Sequence, residues 1–158
     1  MAEKLMKEDF DDVYDDYFDL IYRIAFIHIK KPDDSNEIVQ EVLLKYLFTK
    51  KTFSTEEQKK AWIIKTAHDA SMDYFRTKMR KTIRIQDLAQ MHIPFAVDKT
   101  LEVLLMMPDK YRTPLYLNYC EGYSADEIAS ILHKSKSSMN RTIKSGKEYL
   151  EKKLGGAV

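Results

Sequence analysis

The chain has 158 residues, of which 44% are apolar and 32% are charged, a balance typical of a folded globular protein with one domain or two small ones. A single cysteine, Cys120, excludes an internal disulfide, and no apolar run approaches the roughly 20 residues that span a bilayer. The acidic start lacks the pattern of a signal peptide, so we expect a cytoplasmic protein without membrane insertion. The net charge of +1 excludes a uniformly basic DNA coat.

Charge is unevenly distributed along the chain. Residues 8–19 contain seven acids and no Lys or Arg, whereas residues 76–84 and 133–147 are strongly basic. Glycine and proline are rare, and apolar residues recur at helical spacing instead of alternating. These patterns predict an all-α fold.

Three helices are predicted in the first half, over residues 10–29, 35–48 and 61–81, with a loop or short turn at 49–58. Acids after Pro32 are expected to cap the second helix. The third helix carries an apolar stripe on one face and, at its end, five cations between residues 76 and 84. Such a positive end suits a phosphate backbone, although a solvated helix end is the simpler alternative.

The second half contains a short helix from Leu101 to Met107 and a helix predicted to begin with Thr113 as N-cap and Pro114 at its first position. Ser124 and Glu127 have the spacing of a capping box. A short break follows, and Ser135 is predicted to cap the last helix.

A capped helix, a tight turn and a second helix with a polar, basic outer face form a helix-turn-helix pattern. Arg, Asn and Lys are the side chains that contact bases and phosphates in a major groove. An ordinary helical hairpin with a solvated basic face is the alternative. We expect two small helical domains, residues 1–84 and 99–158, joined by a linker at 85–98, with the helix-turn-helix in the second domain.

Four motifs in order resemble one family, the bacterial RNA polymerase sigma factors of the extracytoplasmic-function (ECF) group. Residues 32–41 resemble the family's acidic Asp-x-x-Asp-Leu-Val-Gln-Glu helix, and residues 61–76 resemble its Ala-Trp-Leu, Ala-Arg-Asn and Asp-x-x-Arg helix. Residues 107–112 resemble Leu-Pro-x-x-Tyr-Arg, and residues 121–129 resemble Glu-Gly-Leu-Ser-x-x-Glu-Ile-Ala. The resemblance covers most of the chain, from about residue 10 to about residue 154.

The resemblance implies a dissociable subunit that binds core RNA polymerase and directs promoter recognition, melting and transcription initiation. It implies docking on the β′ clamp helices of the polymerase through Asp34, Glu37, Gln40 and Glu41. Contacts to duplex and melted promoter DNA at the proximal element would come from Lys50, Lys51, Phe53, Lys65, His68, Asp69, Arg76 and Arg80. Contacts to the distal element would come from Lys136, Ser137, Asn140, Arg141 and Lys144. An anti-sigma protein is left open as a further partner.

The loop at residues 50–58 would hold a base flipped out of the non-template strand, with the unstacking free energy offset by a shaped pocket. The third helix differs from the family motif at two positions, where His68 and Asp69 replace Arg and Asn. Because a carboxylate repels phosphate, we expect Asp69 to change base preference or weaken melting. In the last helix, residues 139–141 and Gly146 also depart from the family, so its base contacts cannot be transferred.

Two other functions deserve comparison with the sequence. A carboxylate-bridged metalloenzyme would need Glu-x-x-His, yet no histidine has Glu three residues before it, and no catalytic triad or complete phosphate loop is present. We therefore expect no enzyme activity, no metal and no cofactor. The closer alternative is a helix-turn-helix regulator, or a sigma-like adaptor, without initiating activity.

Overall fold

The computed structural model describes residues 2–78 and 99–153, and these contain seven α-helices and no β-strand. The predicted all-α fold is thus confirmed. The described residues fall into two compact units, 2–78 and 99–153. The predicted linker at 85–98, the domain boundary at 84 and Arg80 all lie outside the described residues.

The first unit consists of α1 (Ala2–Ile29), α2 (Pro32–Phe48) and α3 (Glu56–Lys78), each of which contacts the other two. The last two turns of α1 are buried on every side, including the consecutive residues Phe26, Ile27 and His28. A helix whose consecutive side chains are all buried is the centre of a core and not its edge. The outer surface of this unit therefore belongs mainly to α2 and α3, which pack around this segment.

The helices of this unit begin earlier than the hydrophobic pattern indicated. Helix α1 already starts at Ala2 because Glu, Lys, Leu and Met favour helix without an apolar stripe. Helix α2 starts at Pro32, whose fixed φ suits a first turn, so Asp33 and Asp34 lie inside that turn and do not cap it from outside. Both carboxylates still complement the positive end of the helix dipole.

Helix α3 also starts before the predicted residue, at Glu56, because two side chains cap it. The hydroxyl of Thr55 accepts a hydrogen bond from the N–H of Gln58 at 3.1 Å. The Gln58 side chain accepts from the N–H of Ser54 at 3.0 Å. These bonds shorten the loop between α2 and α3 to residues 49–55.

The second unit contains α4 (Lys99–Met106), α5 (Asp109–Tyr119), α6 (Ala125–Leu132) and α7 (Lys136–Lys153). The predicted start of α5 was wrong, since Thr113 and Pro114 lie inside the helix and both are buried. Helix α5 begins directly after Pro108, and Arg112 fastens its first turn by donating from Nε to the carbonyl of Met107 at 2.8 Å. The stabilisation from these contacts outweighs the loss of one helical hydrogen bond, because Pro114 has no backbone N–H to donate.

Helices α6 and α7 form the predicted helix-turn-helix. The N–H of Glu127 donates to Ser124 Oγ at 3.1 Å, and Glu127 Oε1 accepts from the N–H of Ser124 at 3.0 Å, which confirms the capping box. His133 takes a left-handed conformation, with φ of 57°, at the position where such turns often carry glycine. Ser135 caps α7 by accepting from the N–H of Ser138 at 3.2 Å, as predicted.

The apolar face of α7 packs on α5. Met139, Ile143, Gly146 and Leu150 are buried, as their spacing predicts. A Cβ atom at Gly146 would lie 2.8 Å from Leu115 Cδ1, so the absence of a side chain lets the two helices approach closely. This packing fixes which side of α7 faces outward.

Candidate polymerase and nucleic-acid interfaces

A continuous outward stripe runs along α2 at helical spacing, and we call it the α2 outer groove. It encloses a depression of about 570 Å³. Leu44 and Phe48, with 53% and 75% of their surface exposed, give it an apolar floor. Its lining residues are Glu37, Gln40, Glu41, Leu44, Lys45 and Phe48. Exposed apolar side chains rimmed by polar ones are typical of a protein-binding surface.

Three of the four predicted polymerase-binding residues, Glu37, Gln40 and Glu41, line this groove. The apolar pair within it was missed by sequence reasoning. The sequence did contain a signal for this pair, because Leu44 and Phe48 lie three or four residues from polar residues of the same helix face.

Asp34, the fourth predicted residue, lies one turn before the groove and also stabilises the packing of α3 on α2. It accepts a hydrogen bond from the Tyr74 hydroxyl on α3. Burial, this bond and the nearby charges of Asp34 and Glu37 raise the pKa of Tyr74 to about 12. The phenol therefore stays protonated and ties α3 to the first turn of α2.

A second depression, the loop pocket, lies beneath residues 49–55 and has a volume of about 470 Å³. Its rim is polar and basic, with Lys51 exposed and Lys59 half-buried. Its lining residues are Tyr46, Leu47, Thr49, Lys51, Thr52, Phe53, Ser54, Thr55, Glu56 and Lys59. Lys50, predicted with Lys51 to contact DNA, is exposed on the same loop but does not line the pocket.

Three aromatic rings support the loop pocket from below. Phe53 stacks on Tyr46 at 6.3 Å between ring centroids and lies 5.9 Å from Trp62. Tyr46 and Trp62 meet edge-on at 6.1 Å. Lys59 Nζ lies 5.4 Å from the centre of the Tyr46 ring. Phe53 thus fixes the shape of the loop and contributes one wall of the pocket.

Helix α1 braces the same pocket at its base. The hydroxyl of Tyr17 donates to Glu56 Oε2 at 2.6 Å, and Glu56 Oε1 pairs with Lys59 at 3.7 Å. Tyr17 is 39 residues from Glu56 in sequence, so no local pattern could have revealed this contact.

A third depression, which we call the α2–α3 cleft, opens beside the loop pocket and has a volume of about 440 Å³. Its lining residues are Lys45, Phe48, Thr49, Trp62, Thr66 and Asp69. It shares Thr49 with the loop pocket, and it shares Lys45 and Phe48 with the α2 outer groove. The three depressions therefore form one continuous surface.

The predicted DNA-contacting residues of α3 do not all face the same side of the helix. Asp69 lines the cleft, and its Oδ1 pairs with Lys65 Nζ at 2.8 Å. His68 is half-buried and turns toward α1, where its ring meets that of buried His28 edge-on at 5.7 Å. Arg76 is exposed further along the helix.

On α7 the five predicted residues Lys136, Ser137, Asn140, Arg141 and Lys144 are all exposed. Asn140 is already engaged, because its Nδ2 donates to Asp126 Oδ1 at 3.0 Å and to the carbonyl of Lys136 at 2.8 Å. It thereby links α6 to α7. Lys136, Arg141 and Lys144 supply the positive charge of this face.

Within residues 2–78 and 99–153, no helix is long and apolar enough to cross a membrane. The same described residues bring together no group of three or more His, Cys, Asp or Glu side chains that could hold a metal ion.

Comparison with known proteins matches both units to one family. The family model for Sigma-70 region 2 matches residues 13–81. The model for Sigma-70, region 4 matches residues 98–150.

Three relatives come from Bacillus subtilis (strain 168). The chain is 24% identical to the ECF RNA polymerase sigma factor SigX, over 94% of this chain and 85% of that protein. It is 25% identical to the ECF RNA polymerase sigma factor SigW, over 94% of this chain and 90% of that protein. It is 32% identical to the RNA polymerase sigma factor SigV, over 70% of this chain and 69% of that protein.

A solved structure shares the fold. It is the sigma factor RpoE in complex with the anti-sigma factor NepR from Bartonella quintana, with a TM-score of 0.68, 17% identity and coverage of 96% of this chain and 99% of that one. Family models, relatives and fold agree. The chain belongs to the ECF group of sigma factors, the subunits that bind core RNA polymerase and direct promoter recognition, melting and transcription initiation.

Proposed function

We propose that the α2 outer groove docks on the β′ clamp helices of core RNA polymerase. The exposed apolar pair Leu44 and Phe48 carries this assignment, because two large apolar side chains on one solvent-facing helix stripe call for a protein partner. Glu37, Gln40 and Glu41 surround the pair and would supply polar and ionic contacts at the rim of the interface. Asp34 would act mainly by holding α3 against α2 through Tyr74.

The loop pocket is the proposed site for a base flipped out of the non-template strand. Its shape is supported by the stacked rings of Tyr46 and Phe53, and its rim carries Lys51 and Lys59. A preformed pocket offsets unstacking, which costs a few kcal/mol. Lys50, Lys65, Arg76 and Arg80 would follow the phosphates on either side.

The outer face of α7 is the proposed contact to the distal promoter element. Lys136, Ser137, Arg141 and Lys144 would contact bases or phosphates in the major groove, and Asn140 would both brace α6 and offer its amide oxygen. We assign residues 1–84 to the proximal half and 99–158 to the distal half, with 85–98 as the linker.

The remaining assignments follow from the family. We infer a cytoplasmic, non-enzymatic subunit that requires no cofactor of its own. The solved RpoE structure contains an anti-sigma factor, and a partner of that kind is proposed for this chain too. A helix-turn-helix regulator without initiating activity would not need the exposed apolar pair of α2.

Assembly with core polymerase tests the docking surface. Replacing Phe48 by Ser, alone and with Leu44→Ala, should weaken binding to purified core polymerase at least about tenfold, since such exposed anchors typically contribute about 1.4 kcal/mol or more. Tyr14→Ser removes an aromatic side chain that is 44% exposed on α1 and serves as the control. Unchanged affinity in both Phe48 variants would refute the assignment.

A further inference from the structure

The polar lining of the α2–α3 cleft includes one carboxylate among hydroxyl and ammonium groups. Asp69 contributes a carboxylate. The hydroxyl of Thr66 donates its proton to the carbonyl of Trp62 at 2.7 Å, so only its lone pairs face the cleft. The one cation of the lining, Lys45, pairs with Glu41 at 3.5 Å on the side of the outer groove.

Lys65 holds the Asp69 carboxylate in place. The 2.8 Å pair uses Oδ1 and offsets the negative charge, while Oδ2 keeps its acceptor capacity. An acid on a face that meets DNA would otherwise repel phosphate. Asp69 is therefore an oriented acceptor with a partly offset charge, and it suits the amino group of a nucleobase better than a phosphate.

Two aromatic side chains border the cleft on its other sides. Phe48 is 75% exposed, and Trp62 is half-buried with its opposite side against Phe53. Exposed aromatic rings beside basic groups are the usual stacking surfaces for unpaired bases, each contributing about 1–3 kcal/mol. The cleft thus combines stacking walls with an acceptor.

We propose that the α2–α3 cleft binds an unpaired, amino-bearing base of the non-template strand next to the flipped base in the loop pocket, and that Asp69 excludes thymine there. The inference rests on the proposed role of the loop pocket, since the two depressions share Thr49. Phe48 then contributes to two interfaces, with polymerase on one side and with the strand on the other.

The base preference follows from donor chemistry. Adenine, cytosine and guanine each present an exocyclic amino group that can donate to a carboxylate. Thymine has no amino group, and its single ring N–H stands between two carbonyl oxygens that the carboxylate repels. The Asn that the family pattern has at this position would not impose the same restriction, because an amide both donates and accepts hydrogen bonds.

The test uses the full chain assembled with core polymerase on promoter templates with a pre-melted bubble. Each position of the proximal element carries each of the four bases in turn, and competition binding measures relative affinity. Wild type should disfavour thymine about tenfold against the best amino-bearing base at one position, in keeping with a charge-assisted hydrogen bond. Asp69→Asn should reduce that discrimination to less than about threefold.

Removing the amino group alone gives a second readout. Purine for adenine, pyrimidin-2-one for cytosine, or hypoxanthine for guanine should weaken binding by wild type and leave Asp69→Asn nearly unaffected. Asp73→Asn, an exposed acid one turn further along α3, is the matched control and should behave as wild type.

The outcomes separate this inference from the function it rests on. Promoter binding that tolerates thymine at every position, or that keeps its discrimination in Asp69→Asn, overturns the cleft proposal and leaves the sigma assignment standing. Failure of the wild-type holoenzyme to bind any bubble template overturns both.

Discussion

Tyr17 connects the buried face of α1 to the base of the loop pocket. It is 8% exposed, and its hydroxyl donates to Glu56 at 2.6 Å. Glu56 in turn lines the pocket and stands in the first turn of α3. This hydrogen bond therefore ties the first turn of α3, and with it one wall of the pocket, to α1.

Replacing Tyr17 by Phe should lower the free energy of unfolding of the first unit by about 1 kcal/mol, since the hydrogen bond is charge-assisted but Glu56 can recover water. Urea unfolding followed by the fluorescence of Trp62, the single tryptophan and a member of this unit, measures the change. Tyr14→Phe, at a ring that is 44% exposed, should shift the midpoint much less. Equal midpoints for the two variants would argue against the brace.

At the scale of elements, α2 and α3 meet at both ends of their shared surface. The Tyr46, Phe53 and Trp62 rings join them at the loop pocket. Tyr74 and Asp34 join them at the other end. The cleft adjoins the first attachment, since Trp62 belongs to both, and this contact helps to hold its walls together.

The Tyr74 attachment predicts a pH dependence. Because the pKa is raised from 10.0 to about 12 in the folded chain, the fold favours the protonated phenol. Its contribution to stability is complete below the unfolded pKa of 10.0 and is lost as the pH rises toward about 12.

Urea midpoints across this alkaline window should fall more steeply for wild type than for Tyr74→Phe, which cannot ionise there. Asp34→Asn removes the Asp34 charge that helps to raise the Tyr74 pKa and should make this alkaline loss of stability smaller. Parallel pH profiles for wild type and Tyr74→Phe would contradict the assignment.

Local signals predicted the elements of the second unit well, and burial of side chains accounts for the exception at the start of α5. The capping box of Ser124 and Glu127 and the cap at Ser135 depend on neighbours within three residues, so spacing alone identified them. The start of α5 depends on Arg112 and on burial of Thr113, which a local proline pattern cannot report.

The candidate sites show the same division. Family motifs placed Glu37, Gln40 and Glu41 on one outer face and Arg141 on another, because helical spacing determines which residues share a face. The cleft and the contact of Asn140 with Asp126 join side chains of different helices, and the loop pocket depends on the bond from Tyr17 to Glu56, 39 residues away. Only packing in three dimensions brings them together.

At the scale of the whole molecule, charge separates the surfaces by function. The acids of α1 between residues 11 and 19 are exposed and would repel a phosphate backbone, whereas the basic side chains cluster on the loop, the end of α3 and α7. A net charge of +1 is thus compatible with promoter binding, since most of the proposed phosphate contacts lie on basic parts of the surface.

Run-off transcription with purified bacterial core polymerase on genomic fragments, with start sites mapped by sequencing, tests the central claim most directly. We expect discrete starts that share two spaced upstream elements. We also expect loss of those starts in Gln40→Ala or Arg141→Ala, which remove a proposed polymerase contact and a proposed distal DNA contact. The absence of defined starts, from a chain that still binds duplex DNA by itself, would contradict an initiating sigma factor and favour a helix-turn-helix regulator.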